Sequence, residues 1–187
     1  MKAKFQILYC STAIILIGCS LSEANLVYDD GGYYDIDFYT NEDIEIYDGL
    51  TGYTTVSLVE NGYADSTIIP YDNSRLFCTD GYLRTLVTRD NSVSTILGGI
   101  IGISIITEDQ SEVYIHGYNF AIDDIEVDYG EIDVKWGTLT GTLINGDPLD
   151  VDLDINHFSF ITLIPEPTTL LLFGLGTMIL RNRNRSK

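Results

Sequence analysis

The stretch that decides the fold runs from Tyr71 to Phe120: YDNSRLFCTDGYLRTLVTRDNSVSTILGGIIGISIITEDQSEVYIHGYNF. Ser74, Ser92 and Ser111 each follow a polar triplet, Tyr71-Asp72-Asn73, Arg89-Asp90-Asn91 and Glu108-Asp109-Gln110. These serines lie 18 and 19 residues apart, and sliding back 19 residues from Ser74 reaches a fourth copy near Thr55. Stacking the copies produces columns. Val59, Cys78, Ile96 and Ile115 fall together, followed by Gly62, Gly81 and Gly99, with Gly117 one place early. Ala64, Leu83, Ile101 and Phe120 form the next column. Ile69, Leu86 or Val87, and Ile105 align once single insertions are allowed. A period near 20 with aliphatic columns is the mark of a solenoid, in which one copy cannot bury its own apolar face but a stack can. Glycine permits a corner where a side chain would clash, and Asn, Asp and Ser can bond backbone at the other corner.

Nothing in the surrounding chain reads as a helix. Tyr, Val, Ile and Thr are abundant, and Gly, Asn and Asp punctuate short runs, so the class is all-β. The predicted architecture is a short right-handed parallel β-helix of about four rungs over residues 54–120. An antiparallel sandwich is the rival, because it also spaces short strands regularly.

Working outward, residues 25–53 are rich in Asp, Glu and Tyr. Asp35, Asp37, Asp43 and Glu45 alternate with Ile36, Phe38, Ile44 and Ile46. That is strand with one wet face, expected as an acidic cap on the open end of the solenoid. On the other side, residues 121–164 alternate differently. Ile125, Val127 and Tyr129, then Ile132, Val134 and Trp136, are separated by charged residues. Asn145-Gly146 is a hairpin signal, and Leu149, Val151, Leu153 and Ile155 return against Asp150, Asp152 and Asp154. This part is expected to be antiparallel, with the hairpin as a cap.

Both ends of the chain have a different composition. Lys2 and Lys4 precede an apolar stretch from Phe5 to Gly18, the pattern of a secretory signal peptide over residues 1–24. Cleavage after Ala24 would leave Asn25 first. Leu16-Ile17-Gly18-Cys19 resembles a lipobox, which would instead put a lipid on Cys19. At the far end stand Pro165-Glu166-Pro167, and after Thr168 and Thr169 an apolar run: Leu170, Leu171, Leu172, Phe173, Gly174, Leu175, Gly176, Met178, Ile179 and Leu180, broken only by Thr177. Arg181, Arg183, Arg185 and Lys187 follow as a basic stop. Two prolines in three residues end any strand, and the run can be a hydrophobic helix. Thr168 to Leu180 spans only about 20 Å at ~1.5 Å per residue, against a hydrocarbon core of about 30 Å. Such a segment suits a transient anchor better than a permanent one.

Residues 165–187 therefore resemble the PEP-CTERM sorting signal of Gram-negative bacteria. The resemblance implies that the triplet is read by an exosortase, a membrane protease-transpeptidase. It also implies that the tail holds an inner-membrane intermediate before delivery to the cell envelope, cell surface or extracellular matrix. Such sorting accompanies exopolysaccharide production, so exopolysaccharide and biofilm are the implied setting. Residues 44–122 are similar to the Asp-Asn-Ser and Gly-Gly repeats found ahead of such tails.

Charge narrows the choice of partner. Without the two end segments, the body has four basic residues, Arg75, Arg84, Arg89 and Lys135, against 26 acids, a net charge of −22. Nucleic acid is excluded, since phosphate binding needs clustered Lys and Arg. Cys10 and Cys19 lie in the signal region, so Cys78 has no intramolecular partner and is expected in the core.

No catalytic motif stands out. Asp150, Asp152 and Asp154 fail as an EF-hand, because Ile155 occupies the glycine position and Ile161 the bidentate glutamate position. His116 and His157 are the only histidines, and no Gly-x-Ser-x-Gly, His-Glu-x-x-His or Cys-x-x-Cys occurs. The expectation is a non-enzymatic protein with no metal or other cofactor. The alternative is a glycan- or calcium-binding module in which Tyr33, Tyr34, Tyr39, Tyr47 and Tyr53 serve as stacking platforms.

Overall fold

The computed structural model describes residues 25–156 and 158–166, and all regular structure in them is strand. The chain order is β1 (Leu26–Tyr28), β2 (Tyr33–Ile36), β3 (Tyr39–Thr40), β4 (Ile44–Ile46), β5 (Thr55–Leu58), β6 (Tyr63–Pro70), β7 (Arg75–Cys78) and β8 (Tyr82–Thr88). It continues with β9 (Val93–Ile96), β10 (Ile100–Thr107), β11 (Glu112–Ile122), β12 (Ile125–Glu126), β13 (Gly130–Glu131), β14 (Trp136–Leu143), β15 (Pro148–Ile155) and β16 (Phe160–Pro165).

These strands wind into a β-solenoid of about four turns. One wall stacks β1, β4, β6, β8, β10 and β15 in parallel. The facing wall stacks β2, β5, β7, β9, β11 and β16, also in parallel. A short third side is made by β3 and the first residues of β6, β8 and β10. There the strands bend, and the register shifts between Ala64 and Thr67 and between Ile101 and Ser104. β6, β8 and β10 thus each begin on the third side and bend into the first wall.

The corners explain why these residues stack. At one corner Asp72, Asp90 and Asp109 adopt φ of 55, 56 and 58°, the left-handed region that Asp tolerates because its side chain bonds locally. The Asp72 amide donates to the Asp90 carboxylate at 3.1 Å, tying one turn to the next. The residue that follows the triplet is a fully buried hydroxyl in every copy: Thr54, Ser74, Ser92 and Ser111. Ser74 Oγ donates to the Ile46 carbonyl (3.0 Å) and Ser111 Oγ to the Thr88 carbonyl (3.2 Å), each in the turn before. At the second corner, a Cβ on Gly62 would lie 2.2 Å from the Ile36 carbonyl oxygen, while Gly81 and Gly99 have φ of +83 and +89°. Only glycine fits these positions.

Inside, the apolar columns are continuous. Leu58, Cys78, Ile96, Ile115 and Leu163 are consecutive partners on one wall, and Ile44, Ile68, Leu86, Ile105 and Leu153 on the other. All are buried. Two columns differ from expectation by one position: Leu58 rather than Val59, and Ile68 rather than Ile69, points inward. Phe120 is buried but does not continue the Ala64–Leu83–Ile101 column, because the chain has left the solenoid path by then.

The ends also differ from expectation. Residues 25–53 do not form a separate cap. Leu26 pairs with Ile44 and Tyr34 with Val56, so β1 to β3 are the first turn. After Gly117, β11 outruns its turn and the chain makes an excursion. Asn119, at φ 56°, and a register shift between Tyr118 and Ala121 turn Phe120 and Ile122 inward. β12 folds back on β11, and β13 pairs antiparallel with β16 at Gly130↔Leu163. β14 then leads through Asn145-Gly146 into β15 as an antiparallel hairpin. β15 and β16 are not a sheet apart, however. They rejoin the two walls in parallel, at Ile105↔Leu153 and Ile115↔Leu163. Only the span between β11 and β15 is the antiparallel insertion, and its Val127, Ile132 and Val134 pack down on the core. The expected C-terminal hydrophobic helix lies outside the described residues.

Candidate functional site: the exit from the last strand

β16 delivers the chain to the triplet. Its six residues pair in register with β11, from Glu112↔Phe160 to Gly117↔Pro165. Ile161 and Leu163 are buried in the core, and β13 covers the outer edge at Thr162 and Leu163. The alternation of apolar Ile161 and Leu163 with Thr162 and Ile164 suits a strand with one buried face. Pro165 closes the strand, because it has no N–H to extend a ladder. Pro165 and Glu166 are half-buried against the end of the solenoid. His116 lies beside Ile164, and burial holds its imidazole below the ordinary range, so it is neutral at pH 7. The core and the triplet are therefore joined without a linker.

Residues 163–185 match the PEP-CTERM protein-sorting motif. The match opens at Leu163, two residues inside the folded strand. A PEP-CTERM motif implies an exported protein that passes through a membrane-anchored intermediate and is sorted by an exosortase. Comparison with curated proteins and with solved structures finds no match. Of the residues assigned to sorting and export, Pro165, Glu166 and the exposed Asn25 are described. Ala24, Pro167, the apolar run from Leu170 to Leu180 and the basic stop at Arg181, Arg183, Arg185 and Lys187 lie outside the described residues. Among the described residues no helix is long and apolar enough to cross a membrane.

The tyrosines proposed as sugar platforms are mostly used by the fold. Tyr39, Tyr63 and Tyr82 are stacked, with ring centroids 5.4 and 4.4 Å apart, close to the spacing of the turns themselves. Tyr47 lies flat on Tyr71 at 4.6 Å. Arg89 continues that second column, its guanidinium 5.6 Å from the Tyr71 ring centre and its Nε 2.7 Å from Glu108. Tyr34 packs on Tyr28 and donates its hydroxyl to Asp30, and Arg75 lies over the Tyr53 ring at 4.8 Å. A ring sandwiched in a column has no free face. Tyr33 and the outer face of Tyr39, both at the first turn, remain open.

The acidic candidates are dispersed. Asp150, Asp152 and Asp154 are exposed on β15, and Thr138 Oγ1 donates to Asp152 at 2.9 Å. Among the described residues no group of three or more His, Cys, Asp or Glu could hold a metal ion. His157 lies outside the described residues. One exposed residue was read only as part of an alternating strand: Trp136, which is 80% exposed where β14 begins. It alternates in step with Ile132 and Val134, which pack on the core, so the pattern carried no sign of its exposure.

Proposed function

We propose that this chain is a non-enzymatic structural protein of the cell surface or the extracellular polysaccharide matrix, released from its anchor by an exosortase. The observation that supports this most is the direct junction of the sorting triplet to a rigid solenoid. The last core strand runs into the first residue of the triplet, so the folded body is the cargo. A solenoid wall with exposed acids gives a hydrated spacer that stays soluble among neutral polymers. β16 ends at Pro165, so the triplet begins where the last strand stops, and the arginines hold the tail with its end in the cytoplasm. The test is mass spectrometry of the surface fraction, beside a Pro165→Ala, Glu166→Ala, Pro167→Ala variant. The native chain should end near residue 167, and the variant should retain its tail in the inner membrane. Native protein recovered intact to Lys187, in a strain with a working exosortase, would overturn this function.

A second reading, glycan binding, is favoured by one observation: Tyr33 and the outer face of Tyr39 are open at the first turn. Stacking on aromatic faces is how sugars dock on proteins that lack deep pockets. Pull-down on exopolysaccharide of the native protein and of Tyr33→Ser, Tyr39→Ser decides between the two. Loss of retention in the variant establishes a glycan module, and equal retention leaves the spacer.

A further inference from the structure

We propose that, in the membrane-anchored intermediate, the C-terminal end of the solenoid lies against the bilayer, with Trp136, Ile125 and Tyr129 at the lipid headgroup level. The inference rests on the anchored intermediate that the sorting motif implies. It adds which surface of the body meets lipid and which end points away.

The length of the connecting chain carries it. The fold ends at Pro165, paired with Gly117. The apolar run begins at Leu170. From Glu166 to Leu170 a fully extended chain reaches only about 14 Å. Stacked strands are ~4.8 Å apart, so the five steps from β1 to β15 place the first turn about 24 Å further along the axis. Within that tether the final turn and the insertion that covers it are the parts held at the membrane.

The chemistry of that end fits the place. Ile125 is 71% exposed and Trp136 80%, and Tyr129 is also open. Tyr129 precedes Gly130, the residue paired with Leu163 near the exit, and Trp136 pairs with Asp154 on the last turn. Tyr129 meets Phe120 edge-on, with ring centroids 6.2 Å apart, and still leaves nearly half its surface open beside Ile125 and Trp136. Trp and Tyr favour the headgroup level, where an apolar ring and a polar edge are both satisfied. Asp123, Asp124, Glu126 and Asp128 share the insertion and are exposed. They keep the contact shallow and favour a zwitterionic surface over an anionic one.

Trp136 is the single tryptophan of the chain, so its fluorescence reports on this end alone. The full chain is reconstituted into phosphatidylcholine vesicles in which part of the lipid is brominated close to the headgroup. Flotation with the vesicles is measured on the same sample. A blue-shifted Trp136 with about twofold loss of emission is expected. A Trp136→Phe, Tyr33→Trp variant, which moves the reporter to the first turn, should stay unquenched. A chain that floats with its Trp136 emission unquenched overturns the membrane-facing end while leaving the anchor intact. Quenching at position 33 in place of 136 overturns it too. A chain that does not float overturns the anchored intermediate itself, and this inference with it.

Discussion

At the scale of single residues, burial decides chemistry. Cys78 sits between Leu58 and Ile96 in an aliphatic column at 2% exposure, and burial pushes its thiol up to about 12. The native protein should therefore resist a thiol reagent and react only once denatured; rapid native labelling would remove Cys78 from the core. Cys78→Asp should prevent folding, since an unpaired charge there costs several kcal/mol. The folded pKa lies above the ordinary 9.0, so the thiol's contribution to stability is complete below that value. It is lost as pH rises from there towards about 12. Denaturation at stepped alkaline pH should show a shallower decline for Cys78→Ala than for the native chain. Ser94 presents the opposite case. It takes an inward place between Leu76 and Val113, fully buried, and its hydroxyl has no hydrogen-bond partner among the described residues. Ser94→Ala removes that desolvated group and should raise stability by about 1 kcal/mol, read by urea denaturation. A fall of similar size would mean that the hydroxyl is satisfied.

At the scale of elements, the corners fix the register. Gly99 has φ +89°, and a Cβ there would lie 2.8 Å from the Asp80 carbonyl oxygen. Gly99→Ala should cost about 1–3 kcal/mol from backbone strain alone, with more from the clash. Asp90→Gly, at the opposite corner, should be far milder, because glycine accepts φ 56° freely. Thermal melts of the two variants check the contrast, and equal losses would show that the corners do not control the stack. The same corners determined how much could be read in advance. Ser74, Ser92 and Ser111 recur at nearly constant spacing because the turns between them have equal corners, so that part of the solenoid was legible. Earlier, Leu58 lies 20 residues before Cys78 while Cys78 lies 18 before Ile96, and a bend shifts register between Ala64 and Thr67, so the inward residues are Leu58 and Ile68 rather than their neighbours. The return of β15 and β16 was hidden for another reason. Alternation looks the same in parallel and antiparallel strands, and the Asn145-Gly146 hairpin signal pointed to the antiparallel partner alone. A clue was present: Ile105↔Leu153 and Ile115↔Leu163 share one offset of 48 residues, with buried Ser159 answering Ser111 at that same offset. Of the candidate site, the triplet was plain in the sequence, but its fusion to a core strand was not. Composition cannot tell a linker from the last turn of a solenoid whose register has just been interrupted.

At the scale of the whole molecule, the two ends are unlike. β13 and the start of β14 run antiparallel over β16 and β15, covering the edges of the last turn. Among the described residues nothing pairs with the outer edges of β1, β2 and β3. Those open edges carry Asp29, Asp30, Asp35 and Asp37, whose like charges oppose a second copy arriving there. The molecule thus has one end with unpaired strand edges, guarded by charge, and one end that is blunt. Threads need two zipping ends, since a head-to-tail contact repeats while a head-to-head contact closes on itself. Strand-edge association should therefore stop at pairs at any concentration, as measured by sedimentation. Replacing Asp123–Lys135 with a short Gly-Ser linker bares the edge of β16 and should give thioflavin-positive filaments; a variant that stays monomeric or paired would show that the insertion is not the stopper. For an exported protein, this built-in stop keeps parallel, self-templating strands from growing into amyloid among their own copies.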